Sequence, residues 1–219
     1  MLTRAELKQQ AKAQLKGNLG MLLVVLLVYF LVCMAVSLVG GFIFGKIPVL
    51  LYVITYAVVP PIALGYYMVY LDVTYGEKPQ VATLFRPFKE CYAQSVLVNI
   101  LVTVFTLLWS LLLIVPGIIK SFSYSQAMFI LAENPGMTAK EAIDESKLIM
   151  DGHKFELFVL YLSFIPWFLL GYVTLGLGFI YVAPYMTLTI TNFYHNIKRQ
   201  NAQVVDAPVY EEPAVEVVE

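Results

Sequence analysis

Arg4, Lys8, Lys12 and Lys16 recur at every fourth residue. On a helix of 3.6 residues per turn that spacing makes one basic ridge, with Leu7, Ala11 and Leu15 as an apolar line beside it. The chemistry open to such a ridge is electrostatic. It holds anionic lipid headgroups, at about 1 kcal/mol per cation near the surface. The plainer alternative is a cytoplasmic flank that follows the positive-inside rule without any lipid preference.

A second set of residues brings polar atoms to membrane depth. Gln94, Asn99, Thr103, Thr106 and Ser110 lie in one apolar run, Lys120, Ser121, Ser123, Tyr124, Ser125 and Gln126 in the next, and Asn192 in the last. They either glue helices together by hydrogen bonds or line a polar cavity among the third to sixth spans, as in a transporter or lipid-handling protein, for which Asn99, Lys120, Ser123, Tyr124 and Gln126 are the candidates. Prolines at 60, 61, 166 and 184 would let the neighbouring helices open it.

Signatures of catalysis are missing: there is no H-E-x-x-H, no G-x-S-x-G and no phosphate-binding G-x-x-x-x-G-K-[ST]. His153 and His195, the two histidines, sit at ends of apolar runs. No Asp or Glu lies mid-run, so a proton relay lacks its carboxylate. Cys33 and Cys91 are too few and too far apart for a disulfide framework or a metal site. The expectation is a protein that is not an enzyme and takes no cofactor. Its partners would be anionic inner-leaflet lipids, with a protein bound by its acidic tail as a further option; nucleic acid is not expected.

The elements that position these residues follow from hydropathy. Of 219 residues, 60% are hydrophobic and 13% charged, against about 25% charged in soluble domains, and mean hydropathy is +0.77. The first uncharged run, Gly17–Gly45, is far longer than the ~7–15 apolar residues of a secretory signal, so it is read as a retained span. No charge occurs between Leu157 and Ile197. One helix of that length would reach about 60 Å, twice the ~30 Å hydrocarbon core, so the chain folds back near Gly171, Thr174, Gly176 and Gly178.

The fold class is therefore all-α, a polytopic transmembrane helical bundle with short amphipathic interfacial helices. Spans fall at about 19–44, 48–71, 94–115, 118–133, 155–172 and 175–196. Pro60 and Pro61 should kink or break the second. The fourth is short of apolar residues, and charge decides in its favour. With six spans and both termini cytoplasmic, only Lys46 and Lys120 of fourteen Lys and Arg residues fall at outer turns. Pro116-Gly117 then makes the outer turn before the fourth span.

Three segments are expected along the inner surface. Residues 1–18 hold the basic helix, with a capping box of Thr3 and Glu6. In residues 83–92, "TLFRPFKECY", Leu84, Phe85, Phe88 and Tyr92 would share a face. Residues 138–152 carry a second capping box, Thr138 with Glu141, and a buried stripe of Ala142, Ile143, Ser146, Ile149 and Met150. Residues 197–219 form an acidic tail expected to be disordered.

Five stretches carry a resemblance: "LKGN" at 15–18, "LWSLLLIVPGIIK" at 108–120, "SYS" at 123–125, "ILAENP" at 130–135 and "SKLIMDGHK" at 146–154. Together they resemble a bacterial integral-membrane family catalogued as domain of unknown function 975, over nearly the whole chain before the tail. The resemblance implies a multi-pass protein of the bacterial plasma membrane. It brings no established activity and no functional residues.

Overall fold

The computed structural model of the protein describes residues 2–44 and 48–205. Among these the regular structure is entirely helical, and five helical segments are long and apolar enough to cross a membrane. Lys46 and residues 206–219, with most of the expected acidic tail, lie outside the described residues.

The first helix, α1, runs unbroken from Arg4 to Phe44. The expected surface helix and first span are thus one rod of about 60 Å. Gly17 and Gly20 are the weak points at the join, and a glycine costs a helix only about 1 kcal/mol. The basic half does not lie flat on a surface. Its apolar line, Leu7, Ala11 and Leu15, is buried in the protein core. Each leucine so buried contributes about 1.5–3 kcal/mol relative to exposure. The Thr3–Glu6 capping box is present.

Helix α2, Pro48–Thr74, returns alongside α1 and is not broken at Pro60 and Pro61. The proline pair frees carbonyls without ending the helix. The 83–92 segment does not form one amphipathic face. A 3-10 turn over Val81–Phe85 and the short helix α3, Pro87–Glu90, bury Leu84 while Phe85, Phe88 and Tyr92 stay exposed. Leu84 is buried because its backbone lies against Gly65 of α2, where a Cβ would overlap the Leu84 carbonyl.

Helices α4, Tyr92–Leu112, and α5, Ile114–Tyr124, make the next hairpin. Its turn is a single extended residue, Leu113 at φ −158° and ψ 139°, rather than Pro116-Gly117. Pro116 belongs to the first turn of α5, where a missing N–H has no helical partner to lose. Gly117 packs face to face on Ser110 of α4 with no room for a side chain. The fourth span is broken: after Ser125-Gln126 it resumes as α6, Ala127–Glu133.

That break is closed by α7, Ala139–Ile149. Its Ser146 hydroxyl donates to the Ser123 carbonyl at 2.8 Å and accepts from the Gln126 N–H at 3.2 Å. The Thr138–Glu141 capping box forms, and Ala142, Ile143, Ser146, Ile149 and Met150 are buried as the spacing predicts. The last hairpin is α8, Lys154–Leu162, then α9, Ile165–Val173, turning at Leu175 and Gly176 into α10, Leu177–Val205. Residues 197–205 are helix rather than disordered tail, because Ile197 is buried in the core and Lys198 is paired with Glu133.

The hairpins bring like to like. The charged starts of α1 and α8 and the charged segment just before α4 share an end with the charged ends of α2, α6 and α10, and α7 joins them. At this end Leu2 N–H donates to the Asn196 side chain at 3.4 Å, so both chain ends described here lie together. The opposite end exposes mainly apolar residues, from Leu38 and Phe42 on α1 to Leu111–Val115 and Tyr172–Leu177.

Candidate functional site

The charged end concentrates the polar chemistry of the molecule. Helix α10 presents two neighbouring faces there. Tyr194 and Lys198, four residues apart, point to one side. Asn192, His195, Asn196 and Arg199 recur at three- and four-residue spacing on the other.

The first face meets Glu133, the last residue of α6. Its carboxylate accepts from the Tyr75 hydroxyl, the Tyr194 hydroxyl and the Lys198 ammonium. One carboxylate therefore ties together the segment after α2, the end of the broken fourth span and α10. Burial first, and then the hydrogen bond to Glu133, hold the Tyr75 phenol protonated well above its ordinary range. Lys198 also sits 5.9 Å from the Tyr194 ring centre.

The second face borders a cavity of about 230 Å³ between α1, α2 and α10. Gln14 and Asn192 exchange two amide hydrogen bonds across its wall, at 3.2 and 2.9 Å. His195 Nε2 lies 2.7 Å from Thr74 Oγ1. That pair is not an activated nucleophile. Thr74 has one proton, and its hydroxyl donates to the Leu71 carbonyl at 2.8 Å. Both contacts are met together when His195 Nε2–H donates to Thr74. The ring of His195 stacks edge-on against Tyr75 at 4.8 Å. Among the described residues no three His, Cys, Asp or Glu side chains gather as a metal ion requires.

A second cavity, of about 310 Å³, lies deeper between α2, α6 and α8 to α10. Tyr66, Tyr67, Phe129, Tyr161, Phe168 and Phe179 give it aromatic walls. Its polar contribution is small: Ser125, and Thr187 within 3.4 Å of the Tyr66 hydroxyl.

The basic ridge is divided by the fold. Lys8 donates to the Ser163 carbonyl at 3.0 Å and lies 4.4 Å from the Phe164 ring centre. It thus closes the carbonyl end of α8, where a cation is favoured. Lys12 lies 5.9 Å from the Tyr185 ring centre. Arg4 and Lys16 are exposed.

The five residues expected around a polar cavity are not gathered around either of these two. Ser123 and Gln126 are held at the Ser146 bridge, with Ser123 Oγ donating to the Ile119 carbonyl. Tyr124 packs on Phe105. Lys120 lies over the Trp109 ring at 4.9 Å, and the Asn99 carbonyl accepts from Thr103. The hydroxyls of this region bond to backbone carbonyls and brace helices.

Sequence reasoning passed over Glu133 and His195 as the hub. Glu133 stood in the quoted "ILAENP", the one acid closing the broken span, and Tyr194 with Lys198 carried the helical spacing of a shared partner. Nothing local joined them, because 61 and 65 residues separate Glu133 from its two partners on α10.

No curated protein and no solved structure matches the chain. The family model described as "Protein of unknown function (DUF975)" matches residues 1–122 and 111–201. With nearly every described helix inside those two matches, the chain belongs to the DUF975 family.

Proposed function

We propose that this is a multi-pass protein of the bacterial plasma membrane, with six spans and both termini cytoplasmic. In this reading it works without catalysis, through contacts that its charged end makes with lipid headgroups or partner proteins. One observation carries it: every described acidic residue, and every described cation except Lys120, belongs to the end where Leu2 meets Asn196. Cations gather on the cytoplasmic side of membrane proteins. An even number of crossings follows if the two described chain ends share that side. Helix α10, 29 residues long, supplies the sixth crossing beside the five more apolar segments.

Two measurements test this reading. A cytoplasm-dependent reporter on the carboxyl end should be active, and Leu113→Cys, with Cys33 and Cys91 replaced, should react with an impermeant thiol reagent on intact cells. An inactive reporter, together with no labelling of the Leu113→Cys variant, overturns the topology. Photocrosslinkers at Lys89 and Leu148 should give adducts with discrete proteins or anionic lipids, unlike one at Phe42. Identical adducts from both ends overturn the contact reading.

The aromatic cavity favours a second reading, a lipid-handling protein that takes an acyl chain between α2 and α10. Reconstituted protein would then speed lipid exchange between leaflets, and Ala183→Trp in the cavity wall would stop it. Unchanged exchange in liposomes with and without the protein removes this reading.

A further inference from the structure

We propose that the cavity between α1, α2 and α10 binds a single phosphate group bearing one negative charge and a hydroxylated substituent. The source would be a phospholipid headgroup or a soluble phosphodiester. Charge is the first reason. Arg199 lines the cavity, and among the described residues no carboxylate lies within ion-pairing distance of it. Its neighbour Lys198 is different, being held by Glu133. The Glu133 carboxylate is in turn occupied by Tyr75 and Tyr194. The cavity therefore offers one uncompensated guanidinium, a group that binds phosphate in a forked geometry.

The rest of the wall selects against a second charge. Gln10, Gln14, Thr74, Asn192 and His195 are polar and not cationic at neutral His195. Amides both donate and accept, which suits hydroxyls. A second negative charge would stand there without a partner, at a cost. The cavity, of about 230 Å³, has room for several water molecules and so for a phosphate with a short polar group. The cavity stands at the charged end. That the inner leaflet supplies the ligand rests on the six-span topology, whereas binding itself does not.

The test uses the full-length protein in neutral detergent, followed by thermal unfolding. Dihexanoyl phosphatidylglycerol should raise Tm saturably. Arg199→Gln should weaken that binding by about tenfold or more, the loss of a charge-assisted hydrogen bond, and Arg199→Lys should recover part of it. Gln10→Leu, at an exposed position, should lower affinity without moving the ligand-free Tm, which covers the case of Arg199→Gln misfolding. Lys16→Gln should change nothing. Competition by glycerophosphoglycerol, a soluble diester of the same single charge, assigns a soluble ester; its failure to compete, with lipid still binding, assigns the headgroup. Equal binding by wild type, Arg199→Gln and Gln10→Leu, or an equal loss in Lys16→Gln, overturns the proposal. Because micelles have no sides, these results stand apart from any failure of the topology.

Discussion

The two ends of this molecule are held together by different means. At the charged end, leucines, tyrosines and phenylalanines from α1, α2, α6 and α10 are buried together with Ala142 and Ile143 of α7, and polar hubs at Glu133 and Ser146 join elements distant in sequence. At the apolar end Phe42 is 94% and Leu175 95% exposed. Contact there is local, through small residues: Gly117 on Ser110, and Gly171 on Gly178. The contrast follows the solvent that suits each end. Burial gathers side chains where water surrounds them. Lipid gives no such drive, so helices in it meet by close approach of small residues.

Overfilling each end should separate the two most strongly. Gly65→Val drives a side chain into the Leu84 backbone and should cost about 3 kcal/mol or more. Gly41→Ala, where an added Cβ meets nothing, should be neutral or slightly stabilising. Thermal unfolding in detergent compares the two. Equal losses would mean that the ends are packed alike.

Next come the hubs. Ser146→Ala leaves a buried carbonyl and a buried N–H unpartnered, and about 2 kcal/mol should be lost. Glu133→Gln should cost about 1–2 kcal/mol, discounted because Lys198 is partly exposed. Amide hydrogen exchange should then rise in α6 and α10 but not in α4 and α5. Lys120→Gln removes only a cation over Trp109, so the matching loss at the other end should be about 0.5–1 kcal/mol.

One further effect depends on pH. Thr138→Ala should cost about 1 kcal/mol. The Thr138 N–H, and then its hydroxyl, hold the Glu141 carboxyl below its ordinary 4.5. A lowered folded pKa stabilises above the ordinary value, and that stabilisation is lost as pH falls through the lowered one. The stability difference between wild type and Glu141→Ala should therefore be full at pH 7 and shrink below about 4.5. A difference independent of pH would assign Glu141 no part in the cap.

What the sequence disclosed follows the same division. Features set by neighbours in the chain were legible: long apolar runs, the capping boxes at Thr3 and Thr138, the buried stripe of α7 and the return near Gly176. Features set by distant partners were not. Pro116-Gly117 reads as a turn in isolation, but the extended Leu113 makes the turn and Gly117 serves contact with Ser110. The basic ridge reads as four equal cations, yet packing of α1 against α8 and α10 turns Lys8 and Lys12 onto aromatic rings. Glu133 and His195 gain their partners only when α2, α6 and α10 converge, and no periodicity encodes that meeting.

The unbroken length of α1 has a mechanical meaning. Although Gly17 and Gly20 soften it between Lys16 and Met21, the helix carries one continuous register from the apolar end to the charged one. Because that register is continuous, a rotation of its far half about the helix axis is felt where Lys8, Lys12 and Gln14 meet Ser163, Tyr185 and Asn192. Inserting one alanine after Gly20 would rotate the halves by about 100°, so each could keep its own neighbours only by abandoning the register that joins them.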